Sequence, residues 1–112
     1  MNIVFVKSKL SKLFNDERAL KCTYGERQTK LIMQRMAELH AVDNLDIMRS
    51  FPRARCHELK GDLKGQISVD LVHPYRLIFK PNHEPVPELD SGGLDWKKVT
   101  KINILGIEDT HE

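Results

Sequence analysis

Within residues 54–80, ARCHELKGDLKGQISVDLVHPYRLIFK, three side chains stand out for chemistry: His57, Lys60 and Arg76. A segment that only packs needs none of them. A site that handles a negatively charged substrate has a use for all three. Histidine exchanges a proton near neutral pH, with an unperturbed pKa of about 6.5. Lysine and arginine neutralise anionic charge, and arginine can donate two parallel hydrogen bonds. Each residue also has a plainer role. His57 beside Cys56 fits a half-buried strand position, and Lys60 before Gly61 fits a solvated turn. Arg76 fits an ion pair with Asp70 across a hairpin. Residue type alone leaves both roles open.

The elements that must hold these residues follow from periodicity. Residues 2–7, NIVFVK, are rich in β-branched side chains and read as a strand. Ser8 or Ser11 can cap a helix over about 9–22, with Leu10, Leu13 and Phe14 inward and Asn15–Asp16 a candidate interruption. Tyr24–Gly25 marks a break. Ile32, Met36 and Leu39 then recur at helical spacing over 26–41, so the two helices form an antiparallel hairpin. Residues 43–52 read as a short helical turn stopped before Pro52. Residues 54–60 form a candidate strand. Ile67, Val69 and Leu71 alternate with Gln66, Ser68 and Asp70. After a turn at His73–Pro74, Tyr75, Leu77 and Phe79 alternate with Arg76, Ile78 and Lys80. Residues 81–98, with three prolines and Gly92–Gly93, form a long loop of the kind that often carries function. Residues 98–109 make a last strand with Gly106 a candidate bulge.

The expected architecture is α+β: a helical hairpin on one face of a small, mainly antiparallel sheet, in one domain over residues 1–112. The helices cover the apolar face, and the other face displays Ser68, Asp70, Arg76 and Lys80. His40 is expected in the core or an interface, and His73 and His83 in solvent. The composition, 40% apolar and 30% charged, is that of a globular chain. The two cysteines, Cys22 and Cys56, make no CxxC pair, which argues against a disulfide framework or a thiolate zinc site. No HExxH motif occurs, and DSGGLD (90–95) lacks calcium-loop spacing. No apolar run approaches the ~20 residues of a membrane span. The opening MNIVFVKSKL lacks the marks of a signal peptide. The expected location is the cytoplasm.

Charge is unevenly distributed. Residues 1–80 carry 15 Lys+Arg against 9 Asp+Glu, and residues 81–112 carry 3 against 7. The basic body suits an anionic partner, either nucleic acid or an acidic protein surface.

The segments HELKGD (57–62), YRLIF (75–79) and EDTH (108–111) together resemble the core signature of HigB-type toxins in the RelE/ParE superfamily, also called plasmid maintenance killer proteins. The resemblance follows the order strand, helical hairpin, sheet and tail over nearly the whole chain. It implies a RelE/ParE-like fold and a toxin of a type II toxin–antitoxin system that cuts mRNA in the ribosomal A site. A HigA-like helix-turn-helix antitoxin would hold it inactive in a hetero-oligomer. Carried over by position, the implied site is His57, Lys60, Arg76, Asp109 and His111. Two departures are plain. Thr110 stands where the family pattern has an aromatic residue, and the loop 81–98 is longer than in compact members.

Such an enzyme needs no metal and no cofactor. The RNA 2′-hydroxyl attacks the adjacent phosphorus, so a base must take its proton and an acid must protonate the departing 5′ oxygen. Cations must offset the growing phosphorane charge. The histidines suit proton transfer, Lys60 and Arg76 suit the charge, and Asp109 can orient His111 or accept from a base amino group. Which histidine is base and which is acid stays open. Two other readings compete: a non-nucleolytic poison of a target such as DNA gyrase, and a catalytically inactive antitoxin-binding module.

Overall fold

The computed structural model describes residues 1–109. Among these, three helices and five strands form an α+β fold around an open mixed sheet. Strand β1 (Asn2–Phe5) leads into α1 (Ser8–Phe14), α2 (Glu17–Ala41) and the one-turn α3 (Leu45–Met48). Strands β2 (His57–Glu58), β3 (Ile67–Asp70), β4 (Tyr75–Pro81) and β5 (Lys101–Asp109) follow. Their order across the sheet is β1-β5-β4-β3-β2. β1 runs parallel to β5, and the other three pairings are antiparallel.

The helical breaks have local causes. The first helix stops at Phe14 instead of reaching residue 22. The Asn15 side chain donates to the Ser11 carbonyl at 2.8 Å, and Asp16 caps α2 by accepting from the Ala19 N–H at 3.1 Å. The N-cap residue of α1 is Lys7, which makes no side-chain cap, and Ser8 and Ser11 lie inside the helix. Gly25 then leaves helical geometry at φ 83°, ψ 168°, a conformation open to glycine at little cost, and it divides α2 where a break was expected.

The core lies between the helices and one sheet face. Leu20, Ile32 and Leu39 of α2 pack in one cluster with Ile67, Val69, Leu77, Phe79, Ile102 and Ile104. Period-2 alternation supplies the strand side of that cluster. A bulge preserves it in β5. Ile78 pairs with Gly106 but Phe79 pairs with Ile104, so Leu105 is the extra residue. Both Ile107, opposite Leu77, and Ile104, opposite Phe79, thereby stay in register with the core. Gly106, at φ 148°, accommodates the distortion. Tyr75 is exposed, in the terminal pair of the β4–β5 ladder.

The loop 81–98 is partly structured. Glu88 and Leu94 bridge, and a 3-10 turn spans Trp96–Lys98. His83 was expected in solvent, but it is half-buried and its Nε2 accepts from the Thr100 and Lys101 N–H groups at 3.1 and 3.3 Å. The imidazole ties the loop to the start of β5. At the loop's other end the Arg49 guanidinium sits 4.3 Å over the Trp96 ring. His40 is exposed rather than in the core. No helix among the described residues is long and apolar enough to cross a membrane.

Candidate functional site

Ladder register decides which side chains share the sheet face turned away from the helices. In an antiparallel pair, directly opposed residues lie on the same face. His57 opposes Ser68, Ser68 opposes Ile78, and Ile78 opposes Gly106. The next row on that face is Asp70, Arg76 and Glu108. The structure thus brings His57 and Arg76 to one face, in adjacent rows. Two strand spacings across and two residues along set their Cα atoms about 12 Å apart.

This face is less open than the sequence suggests. Asp70 is half-buried and Lys80 exposed, but Ser68 is fully buried and Arg76 only 8% exposed. Both stand on inner strands, flanked by neighbours on either side. Ile78 is buried here too, outside the helix-side cluster. The Ser68 hydroxyl, directly across from His57, has no hydrogen-bond partner among the described residues. The pairing of Arg76 with Asp70 does form, at 3.7 Å from Nε to Oδ1, but as a largely enclosed contact and not a surface one. A guanidinium shielded from water acts on nearby charge more strongly than one in bulk solvent.

His57 is held by its own chain. Its Nδ1 lies 2.7 Å from the Arg55 carbonyl oxygen. A carbonyl only accepts, so Nδ1 donates, and in the neutral ring Nε2 carries the lone pair. The strand around His57 is only two residues long, against the seven expected over 54–60. Arg55 at φ 45° leaves the extended region just before it, and the turn beginning at Gly61, φ 64°, closes it on the other side. Lys60 immediately precedes that turn and is exposed. Arg55, His57, Glu58 and Lys60 line one open groove of about 370 Å³. Glu58 turns its carboxylate toward the Gly65 N–H, which donates at 3.2 Å.

Two residues that the sequence did not mark complete the arrangement. Arg55 reaches Asp70 Oδ2 through Nη1 at 3.4 Å, so one carboxylate serves two guanidinium groups. Arg35 of α2 is 3% exposed and donates from Nε to the Asp70 carbonyl at 2.8 Å and from Nη2 to the Arg53 carbonyl at 3.0 Å. Its Nη1 pairs with Glu38 at 3.1 Å. The Asp70 N–H donates to Ala54 at 2.7 Å. Asp70 therefore knits α2, segment 53–55 and the β3–β4 pair together. In helix periodicity Arg35 looks like any charged residue of a solvated face. Only its carbonyl partners, distant in sequence, explain its burial.

Asp109 pairs with Tyr75, one ladder position beyond Glu108 and Arg76. His111 and Thr110 lie outside the described residues. Buried beside the site, the Cys56 thiol is pushed up to about 12 by loss of solvation, which the Arg49 charge offsets only in part. Compared with protein-family models and with curated proteins, the chain matches none.

Proposed function

We propose that the chain is a HigB-type toxin of the RelE/ParE superfamily, a cytoplasmic, ribosome-dependent mRNA endoribonuclease held in check by a HigA-like antitoxin. The observation that carries this reading is the shared face of His57 and Arg76, with Lys60 at the groove's rim. A proton-transfer group and cations at two depths are among the parts that cleavage of a phosphodiester requires, the second proton transfer falling to another group.

In this reading the substrate 2′ oxygen forms a bond to phosphorus as the bond from phosphorus to the 5′ oxygen breaks. The products are a 2′,3′-cyclic phosphate and a 5′-hydroxyl. One proton leaves the 2′ oxygen for the base, and one passes from the acid to the 5′ oxygen. His57, oriented through Nδ1, supplies one of these transfers at Nε2. His111, implied by the family resemblance, supplies the other. Arg76 offsets phosphorane charge from the floor of the face, and Lys60 does so from the rim. The protein's share is positioning and electrostatics, with neither metal nor cofactor in the scheme.

Mapping mRNA ends in cells after brief induction tests the proposal. Cuts in register with codons that vanish when translation is blocked are expected. Growth arrest with intact mRNA would replace this reading with a non-nucleolytic poison, which a gyrase supercoiling assay then examines. No arrest at all would leave an antitoxin-binding module.

A further inference from the structure

The cation nearest His57 in sequence is Arg55, and neither the family resemblance nor the charge pattern marks it. Its side chain is 61% exposed and lines the groove that also holds His57 and Lys60. Its backbone is the one non-glycine position with positive φ among the described residues. A left-handed conformation is unfavourable for a long side chain and persists only where its surroundings enforce it. Here the enforcing contacts are visible on both sides. Arg35 holds the Arg53 carbonyl, Asp70 holds the Ala54 carbonyl, and His57 holds the carbonyl of Arg55 itself. The chain is pinned so that a guanidinium projects beside the histidine.

That guanidinium is weakly committed. Its contact with Asp70 is 3.4 Å long and runs from an exposed guanidinium to a half-buried carboxylate that already faces Arg76. Exposed pairs of this kind are easily exchanged for a better anion. A phosphate offers an arginine two parallel hydrogen bonds. Among the described residues, the charges around the groove include Arg55, Lys60 and the enclosed Arg76, with Asp70 between the guanidinium groups, Glu58 directed at Gly65 and Glu108 at the end of the Arg76 row.

The geometry points to Arg55 as a second phosphate-binding residue, gripping the phosphate next to the scissile one on a single-stranded RNA after exchanging Asp70 for it. This rests on the nuclease reading above. It extends that reading from one phosphodiester to a strand that crosses His57 from Arg55 toward Lys60.

The test measures binding apart from cleavage. The probe is a short single-stranded RNA methylated at every 2′ oxygen, which cannot be cut by 2′ attack. Its affinity is measured across a salt series for the wild type, Arg55→Asn and Arg55→Lys. Asparagine tolerates the left-handed backbone, so the fold is kept while the charge is lost. Loss of one phosphate contact should flatten the slope of log affinity against log salt by about 0.7 for a single strand. Arg55→Asn is expected to show that change with several-fold weaker binding at low salt. Arg55→Lys should keep the slope but lose part of the affinity. An Arg55→Asn slope and affinity equal to wild type overturns the inference, as does a wild type that fails to bind the probe. The parent reading fails separately: if the wild type never cuts translated mRNA yet Arg55→Asn loses its slope, the phosphate site stands without the nuclease.

Discussion

Asp70 directly opposes Arg76 across the β3–β4 ladder, its Oδ1 3.7 Å from Arg76 Nε, while its Oδ2 meets Arg55 Nη1 at 3.4 Å. One half-buried carboxylate thus balances an enclosed guanidinium and an exposed one. Asp70 thereby limits the repulsion that two adjacent guanidinium groups would otherwise feel.

Replacing Asp70 with asparagine should therefore act in two directions. Stability falls by about 1–3 kcal/mol, because charged contacts to the enclosed Arg76 are lost. Affinity for a polyanion rises, because the internal competitor is gone. Urea unfolding and binding of the methylated RNA probe check the two halves. A variant that binds the probe more weakly while remaining folded contradicts the competition between Asp70 and phosphate.

Arg35 clamps the segment that carries Arg53 to the end of β3. Arg35→Met removes the donors to the Asp70 and Arg53 carbonyls and leaves Glu38 without its cation, and such losses at a buried charge cost about 3 kcal/mol or more. The expected result is a lower urea midpoint at unchanged slope. Cleavage is expected to fall further than unfolding alone explains, because segment 53–55 loses its anchor. An unchanged midpoint shows that the clamp is energetically idle.

His57→Ala should leave stability within about 0.5 kcal/mol, since the residue is half-buried and stands on a two-residue edge strand. It should abolish translation-coupled mRNA cleavage, and His111→Ala should do the same. Primer extension on a reporter transcript measures both. Full cleavage by either variant removes that histidine from the mechanism.

The two cysteines should separate sharply. Cys22 is exposed and Cys56 is buried, with its thiol pushed up to about 12 chiefly by desolvation. Thiolates are the reactive form, so iodoacetamide should label Cys22 about tenfold faster or more in the folded protein. The same shift makes stability depend on pH. Below the ordinary value of 9.0 the thiol is protonated in both states and stability is unaffected. Between there and about 12 only the unfolded chain releases the proton, so stability declines as pH rises through that window. Thermal melts of Cys56→Ala against wild type isolate this contribution.

Much of the local structure is written locally. Strict alternation through Ile67, Val69, Leu77 and Phe79 yields the β3–β4 pair and its core face. Asn15–Asp16 and Gly25 interrupt the helices where side-chain capping and free backbone rotation dictate. Gly106 sits at the bulge it was expected to make. These features depend on sterics and hydrogen bonds within a few residues, so a single sequence displays them.

The amino-acid sequence by itself determined the α+β class, the breaks, the alternating pair and the candidates His57, Lys60 and Arg76. Only the tertiary structure decided that β1 runs parallel to β5, that Arg76 and Ser68 are enclosed, that His83 anchors the long loop and that Arg35 is buried. It also decided that Arg55, on a left-handed backbone, stands beside His57 and shares Asp70 with Arg76. The physical reason is range. Periodicity records which way each side chain points from its own backbone. Burial, shared charges and enforced strain come from partners tens of residues away, as Arg35 and Asp70 are.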